Sequence, residues 1–360
     1  MTDTAVAAPP PRANPELIGH EAAEAALRRL FDAGRLPHAL LLSGPRGIGK
    51  ATLAFRLARF VLACGIGEAP LAGDATGLRT APESGVFRRV VAGGHADLLT
   101  VERAYDARRR RLRSEIVVDD AREIATFLRL TPAEGGWRVV VVDGADEMNR
   151  NAANALLKIL EEPPQRALLL LVAHSPGRML PTIRSRCRRL ALSPLSPALV
   201  RQLLGHYRTD LVASQIEALT ALAVGSIGRA LDLAAAGGVE LYNQVLTLLS
   251  RDDGIDPAAL HGFADRLVRP DGDETYRAVE ELIAQLLAGV ARAAARAGLG
   301  EGAAPAFSAL ATRLGGRASA AQWAELRESI GQNFARTDAL NLDRKQTILS
   351  TFFAIEAAAR

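Results

Sequence analysis

Gly44, Gly47, Gly49 and Lys50 fall in the order G-x-x-x-x-G-K within the stretch LLLSGPRGIGK. Glycines at that spacing let backbone N–H groups wrap a phosphate at a helix N-terminus, and the lysine brings a positive charge to it. Asp143, far downstream, ends the run Val139–Val142 in RVVVVDGADEM, where a carboxylate can hold Mg²⁺ directly or through water. The residue after Lys50 should carry a hydroxyl for the same ion, but it is Ala51. Thr52 comes one place late, turned by about 100° around a helix. ATP or ADP is therefore expected to meet a degenerate site with an incomplete Mg²⁺ ligand set. His174 and Ser175 follow a second apolar run, Ala167–Val172, and are candidates to sense a γ-phosphate or its attacking water. The arginines of Pro181–Arg189, PTIRSRCRR, lie beyond that run, and one of them can project toward another subunit's nucleotide.

The elements that must position these residues can be read around them. Leu40–Leu42 is a buried strand, and Ala51–Leu62 is a helix with Leu53, Leu57, Phe60 and Val61 at helical spacing. Strand, glycine loop and helix together make a P-loop fold. Four consecutive valines suit a strand covered on both faces, so Val139–Val142 is placed as a central parallel strand. The helix Asn149–Leu160 follows, with Ala152, Leu156, Ile159 and Leu160 along one side, and Glu161-Glu162-Pro163-Pro164 stops it. A helix over His20–Leu30 precedes the first strand, and His95–Glu102 resembles another strand. Within Ser114–Leu130, Asp119 or Asp120 is placed to cap a helix. Gly65–Gly85 reads as a long surface loop, and the run Arg108–Arg111 as a solvated hairpin tip rather than a DNA contact.

With 360 residues the chain is expected to hold two or three domains. Cys64 and Cys187 are its 2 cysteines, which fits a reducing compartment and excludes a four-cysteine zinc site. No apolar run of about 18 residues suggests a membrane span, and the first residues lack the pattern of a signal peptide, so a cytoplasmic location is expected. The net charge of +4 is small, and of 44 basic residues only Lys50, Lys158 and Lys345 are lysines, a coding bias rather than a nucleic-acid signature. His38, His95, His206 and His261 show no metal-ligand spacing, and Trp137 and Trp323 suit a core or an interface.

In order along the chain, residues 1–14 form a proline- and alanine-rich tail expected to be disordered, and 15–192 hold the nucleotide-binding core. Residues 193–237 read as a short helical segment, with Leu199, Leu203 and Leu204, then Ile216, Leu219 and Leu222, recurring at three and four. From 238 to 360 the pattern is almost wholly helical, broken by Gly, Pro and Asp.

GPRGIGKAT, VVVVDGADEM, NAANALLKILEEPP and IRSRC together resemble the AAA+ clamp-loader subunits of the bacterial replicative polymerase, DNA polymerase III. The resemblance implies a P-loop AAA+ core, with residues 193–237 as a lid and 238–360 as an oligomerisation collar. It also implies a heteropentamer with gamma/tau and delta subunits, acting on a sliding clamp and primer-template DNA. In that family the arginine of the Ser-Arg-Cys motif reaches the ATP site of the adjacent subunit, and here it is Arg186. Hydrolysing members carry Glu directly after the strand aspartate, where this chain has Gly144. Their lid arginine falls where Gly228 stands in Gly225-Ser226-Ile227-Gly228-Arg229-Ala230-Leu231, so Arg229 is displaced by one. Some members carry four cysteines after the P-loop helix, but this loop has only Cys64, so no zinc is expected. These departures resemble the family's stator subunits, which lend an arginine finger to a neighbour without hydrolysing ATP. Such a chain belongs to a nucleotidyltransferase complex while being neither polymerase nor competent ATPase. The alternative is an active motor of the gamma/tau type, using Lys50, Thr52, Asp143 and Asp146 or Glu147 in an offset arrangement. A helicase or repair AAA+ protein would predict a basic C-terminal DNA-binding module, which the sequence does not suggest.

Overall fold

The computed structural model describes residues 8–68, 74, 76–106, 111–113, 115–251, 254–269, 272–295 and 305–360. Two compact units divide the chain, one running to Leu199 and the other from Val200 to Arg360.

The first unit carries strands β1 (Ala39–Ser43), β2 (Leu98–Val101), β3 (Tyr105–Asp106), β4 (Arg111–Leu112), β5 (Arg138–Asp143), β6 (Ala167–Ala173) and β7 (Arg188–Ala191). Five of them form one parallel sheet in the order β2-β5-β6-β1-β7, while β3 and β4 pair antiparallel as a hairpin. Arg108–Arg110, between the hairpin strands, lie outside the described residues. The helices are α1 (Glu21–Asp32), α2 (Lys50–Gly65), α3 (Gly85–Val91), α4 (Val118–Arg129), α5 (Arg150–Glu161) and α6 (Pro181–Arg184). This is the expected α/β class, with a parallel sheet and the glycine loop between β1 and α2.

Strand side chains alternate between two apolar layers. Leu40, Leu42, Val139, Val141, Leu168 and Leu170 pack with Leu53, Leu57, Phe60 and Val61 of α2. Leu41, Val140, Val142, Leu169 and Leu171 pack on the other face with Ile124 of α4, Leu156 and Ile159 of α5 and Ile183 of α6. Because both faces are covered, the strands read as unbroken apolar runs.

Two local readings change, and two elements are added. The tail expected to be disordered is held over its last part: Asn14 donates its N–H to the Pro10 carbonyl at 3.0 Å. Arg59 of α2, buried, donates to the carbonyls of Arg12 and Asn14 at 2.7 Å each, and Arg56 donates to that of Pro15. Buried guanidinium groups need acceptors, and the tail supplies them. The loop Gly65–Gly85 ends at a helix, α3, capped by Ser84 and held by Val86, Phe87 and Val90 against the core. At α4 the N-cap is Val117 and neither aspartate occupies that position; Asp120 instead accepts the Val117 N–H at 2.8 Å. Finally β7 extends the sheet beyond β1, although its sequence is Arg-Arg-Leu-Ala.

In the second unit, α7 (Pro197–Tyr207), which begins in the first, is followed by α8 (Ala213–Ala223), α9 (Ile227–Ala235), α10 (Gly238–Leu249) and α11 (Pro257–Leu267). Then come α12 (Asp273–Ala294), α13 (Pro305–Gly315), α14 (Ala320–Leu340) and α15 (Arg344–Ala358). Aromatic pairs hold its core, Tyr276 with Phe334 at 5.3 Å and Phe263 with Phe352 at 5.8 Å, and Trp323 is fully buried. Among the described residues no helix is long and apolar enough to cross a membrane.

Where the central strand begins, Asp97 is buried and accepts the N–H groups of Ala133 and Glu134 at 2.8 and 3.0 Å, with Arg138 Nη2 at 3.4 Å. Arg138 also donates to the Thr131 carbonyl at 2.6 Å and lies over the Phe127 ring. Asp97→Ala leaves the buried guanidinium without its carboxylate and two loop amides without their acceptor. The expected loss is about 3–5 kcal/mol, measured as a fall in the urea unfolding midpoint with an unchanged slope.

Candidate nucleotide site

The loop from Gly44 to Gly49 leaves β1 at its carboxyl end and enters α2, with φ of +150° at Gly44, +74° at Gly47 and +103° at Gly49. Positive φ at glycines of this kind lets a loop turn its backbone N–H groups toward an anion. Gly44 is fixed by space as well: a Cβ there would stand 2.4 Å from the Leu192 carbonyl oxygen. Behind the loop, the buried His20 places Nε2 2.6 Å from the Ile48 carbonyl, and since a carbonyl only accepts, Nε2 carries the proton. No sequence spacing signalled His20, because its partner is a backbone atom.

Lys50 opens α2, and its ammonium donates to the Pro45 carbonyl at 2.5 Å. Burial pushes it down to about 8, against the pull of the Asp143 and Asp146 carboxylates, and Arg46 adds to the fall. Asp143 is raised by burial and by Glu102 and Glu147, with Lys50 and Arg46 opposing. His174 falls to about 4, first through burial and then through the positive charge of Lys50. The fold thus brings Lys50, Asp143 and His174 into one electrostatic neighbourhood, and His174 is neutral there. Ser175 is exposed. Thr52 is buried on α2, and Ala51 has no hydroxyl. The loop, its glycines and Lys50 fit a phosphate group; for Mg²⁺ the expected hydroxyl ligand is absent and Asp143 remains.

The carboxylates after Asp143 are both engaged. Asp146, buried in a short 3-10 turn, accepts the N–H groups of His174 at 2.9 Å and Ser175 at 2.7 Å. Glu147 pairs with Arg103 at 2.8 Å. Burial raises Glu147, opposed by Arg103. Gly144 has φ +84°, and a Cβ on it would stand 2.6 Å from Glu147 Oε2.

Arg186 stands just past α6, exposed, with Nη2 2.6 Å from Glu161 Oε1 and Nη1 donating to the Thr182 carbonyl at 3.0 Å. Cys187 beside it is buried, and its thiol is pushed up to about 11 by burial, which suits packing rather than reactivity. In the second unit Arg229 pairs with Glu281 at 2.5 Å, while Ser226 caps α9 by accepting the Arg229 N–H. Arg103 had no motif to mark it; Glu161 stands inside the NAANALLKILEEPP stretch, where it reads as part of a helix stop and nothing in sequence pairs it with Arg186.

Lys50 gives a pH signature with a definite sign. It titrates near 10.5 when unfolded and near 8 when folded. Between those values the unfolded chain holds the extra proton, so stability rises with pH across that window, while below it the full penalty of a buried charge is present. Lys50→Met should flatten this rise, measured as urea midpoints from pH 8 to 10.5.

A family model described as DNA polymerase III, delta subunit, matches residues 19–196. DNA polymerase III subunit delta' of Pseudomonas aeruginosa is 39% identical over 189 residues, 52% of this chain and 53% of that protein. DNA polymerase III subunit gamma/tau of Mycobacterium tuberculosis is 31% identical over 280 residues, 74% of this chain and 45% of that protein. DNA polymerase III subunit tau of Escherichia coli is 30% identical over 286 residues, 76% of this chain and 41% of that protein. The chain spans about half the length of the curated relatives it matches. With the glycine loop, the strand aspartate and the Ser-Arg-Cys turn in place on one parallel sheet, the chain belongs to the clamp-loader family of DNA polymerase III subunits.

Proposed function

We propose that this chain is a stator of the delta' type in a DNA polymerase III clamp loader, assisting ATP-driven loading of a sliding clamp on primed DNA without hydrolysing ATP itself. The observation that carries this reading is the backbone at Gly144. A catalytic carboxylate is required directly after the strand aspartate, and here that position is left-handed and crowded by Glu147. A side chain there is opposed by conformation, and the Glu147 carboxylate would have to move aside. Asp146 and Glu147 do not substitute, since Asp146 is held by the amides of His174 and Ser175 after β6 and Glu147 by Arg103 after β2. The P-loop retains the means to hold a nucleotide without turning it over.

The partners in this reading are gamma/tau and delta subunits of a cytoplasmic heteropentamer, with the clamp and primer-template DNA reached through the assembly. In the adjacent subunit, water attacks the γ-phosphorus and the bridging oxygen leaves with ADP. Arg186, as an arginine finger, offsets charge that spreads over the γ-oxygens as this happens. A second reading, an active motor of the gamma/tau type, draws support from the longer matches to gamma/tau subunits. It requires Asp146 or Glu147 to leave its present partner.

Two measurements separate these readings. Arg186→Ala in the reconstituted loader should lower clamp- and DNA-stimulated ATP turnover by about tenfold or more, as expected for a lost arginine finger, with the assembly intact by gel filtration. Unchanged turnover removes that role. Gly144→Glu should confer no turnover on this chain's own site and should cost about 1–2 kcal/mol of stability from the left-handed backbone. A gain of ATPase activity in the isolated chain would favour the motor.

A further inference from the structure

We infer that Glu161 is a positioning residue for Arg186, holding the guanidinium in the orientation from which it reaches an anion on a neighbouring subunit; this rests on the finger role proposed above. The backbone around Arg186 is fixed from both sides. Ile183 and Cys187 are buried in the same apolar layer as Ile159 and Leu160 of α5, and the Arg186 N–H bonds the Ile183 carbonyl at 3.1 Å. Its side chain, however, lies at the surface, 35% exposed, where a long arginine would sample many rotamers. Two contacts select one. Glu161 takes Nη2 at 2.6 Å and the Thr182 carbonyl takes Nη1 at 3.0 Å, using one N–H on each terminal nitrogen of a group that has five. The remaining donors are left for an incoming anion, and the flat fork is already oriented to receive it.

The placement of Glu161 makes little sense as helix stabilisation. It is the last residue of α5, where the helix macrodipole presents its negative end and a carboxylate is disfavoured. Glu162 follows it, and Lys158 is the one basic residue of that last turn. A carboxylate kept against local preference and aimed at the one arginine assigned to trans chemistry is accounted for by that arginine. The pair is exposed on both sides, so it adds little to folding, but an exposed ion pair can still shift a rotamer population by about two- to fivefold.

The test is a cycle in the reconstituted loader, reading clamp- and primed-DNA-stimulated ATP turnover for Glu161→Ala, Glu161→Gln, Arg186→Ala and Glu161→Ala with Arg186→Ala. Glu161→Ala should lower kcat by about two- to fivefold with KM for ATP unchanged. Glu161→Gln, whose amide oxygen still accepts from Nη2, should recover part of the loss. In the Arg186→Ala background, removing Glu161 should change nothing further. If Arg186→Ala lowers turnover but Glu161→Ala does not, or raises it, the positioning role is overturned and the finger stands. An equal loss from Glu161→Ala in both backgrounds shows that Glu161 acts independently of Arg186 and also overturns it. Should Arg186→Ala itself be without effect, the finger falls first and this inference with it.

Discussion

One buried carboxylate ties the ends of the two central strands together. Asp146, three residues after β5, spends both oxygens on the amides of His174 and Ser175, which follow β6. Charge-assisted bonds to backbone N–H groups are among the stronger ones a protein makes, and burial raises the cost of breaking them. The tie sets where the chain leaves β6, and so where the turn at Pro176–Arg178, α6 and Arg186 come to lie. It also engages one of the two carboxylates that follow Asp143 within four residues.

Charge around the glycine loop follows from the same economy of buried groups. Lys50 is surrounded by too little solvent to stay fully charged, and Asp143 and Asp146 restore only part of what burial removes. An anion in the loop would complete the balance, which gives the loop an electrostatic reason to bind phosphate whether or not catalysis follows. His174 is held neutral by burial and by the same ammonium. The loop with Lys50 and the segment after Asp143 are therefore separable parts of this site.

Much of this was legible in the sequence because it rests on short-range pattern. Val139–Val142 is a buried strand by composition alone, and glycines followed by a lysine at the head of an apolar helix leave few readings. What escaped was set by contacts distant in sequence. Arg-Arg-Leu-Ala carries no strand signal, and β7 forms because the far edge of β1 offers its backbone groups a partner. The tail residues Arg12 and Asn14 are ordered by Arg59, whose burial no local window reveals. At the site itself, Gly144 was visible as a missing glutamate, but its left-handed backbone was not. Arg186 was singled out by its motif, whereas its pairing with Glu161 shows only once the end of α5 and the turn after α6 are placed side by side.

The difference between a lost catalytic group and a forbidden one bears on what this subunit can do. A glycine in ordinary extended or helical backbone could be replaced by glutamate with little consequence beyond the new side chain. At Gly144 the chain turns through a conformation that glycine adopts freely, with the Gly144 N–H bound to the Val172 carbonyl and its own carbonyl to the Glu147 N–H. Restoring a base there means rebuilding that turn, and the turn contains Asp146, which fixes the loop leading to Arg186. A change at Gly144 is therefore felt through Asp146 at the segment that leads to Arg186.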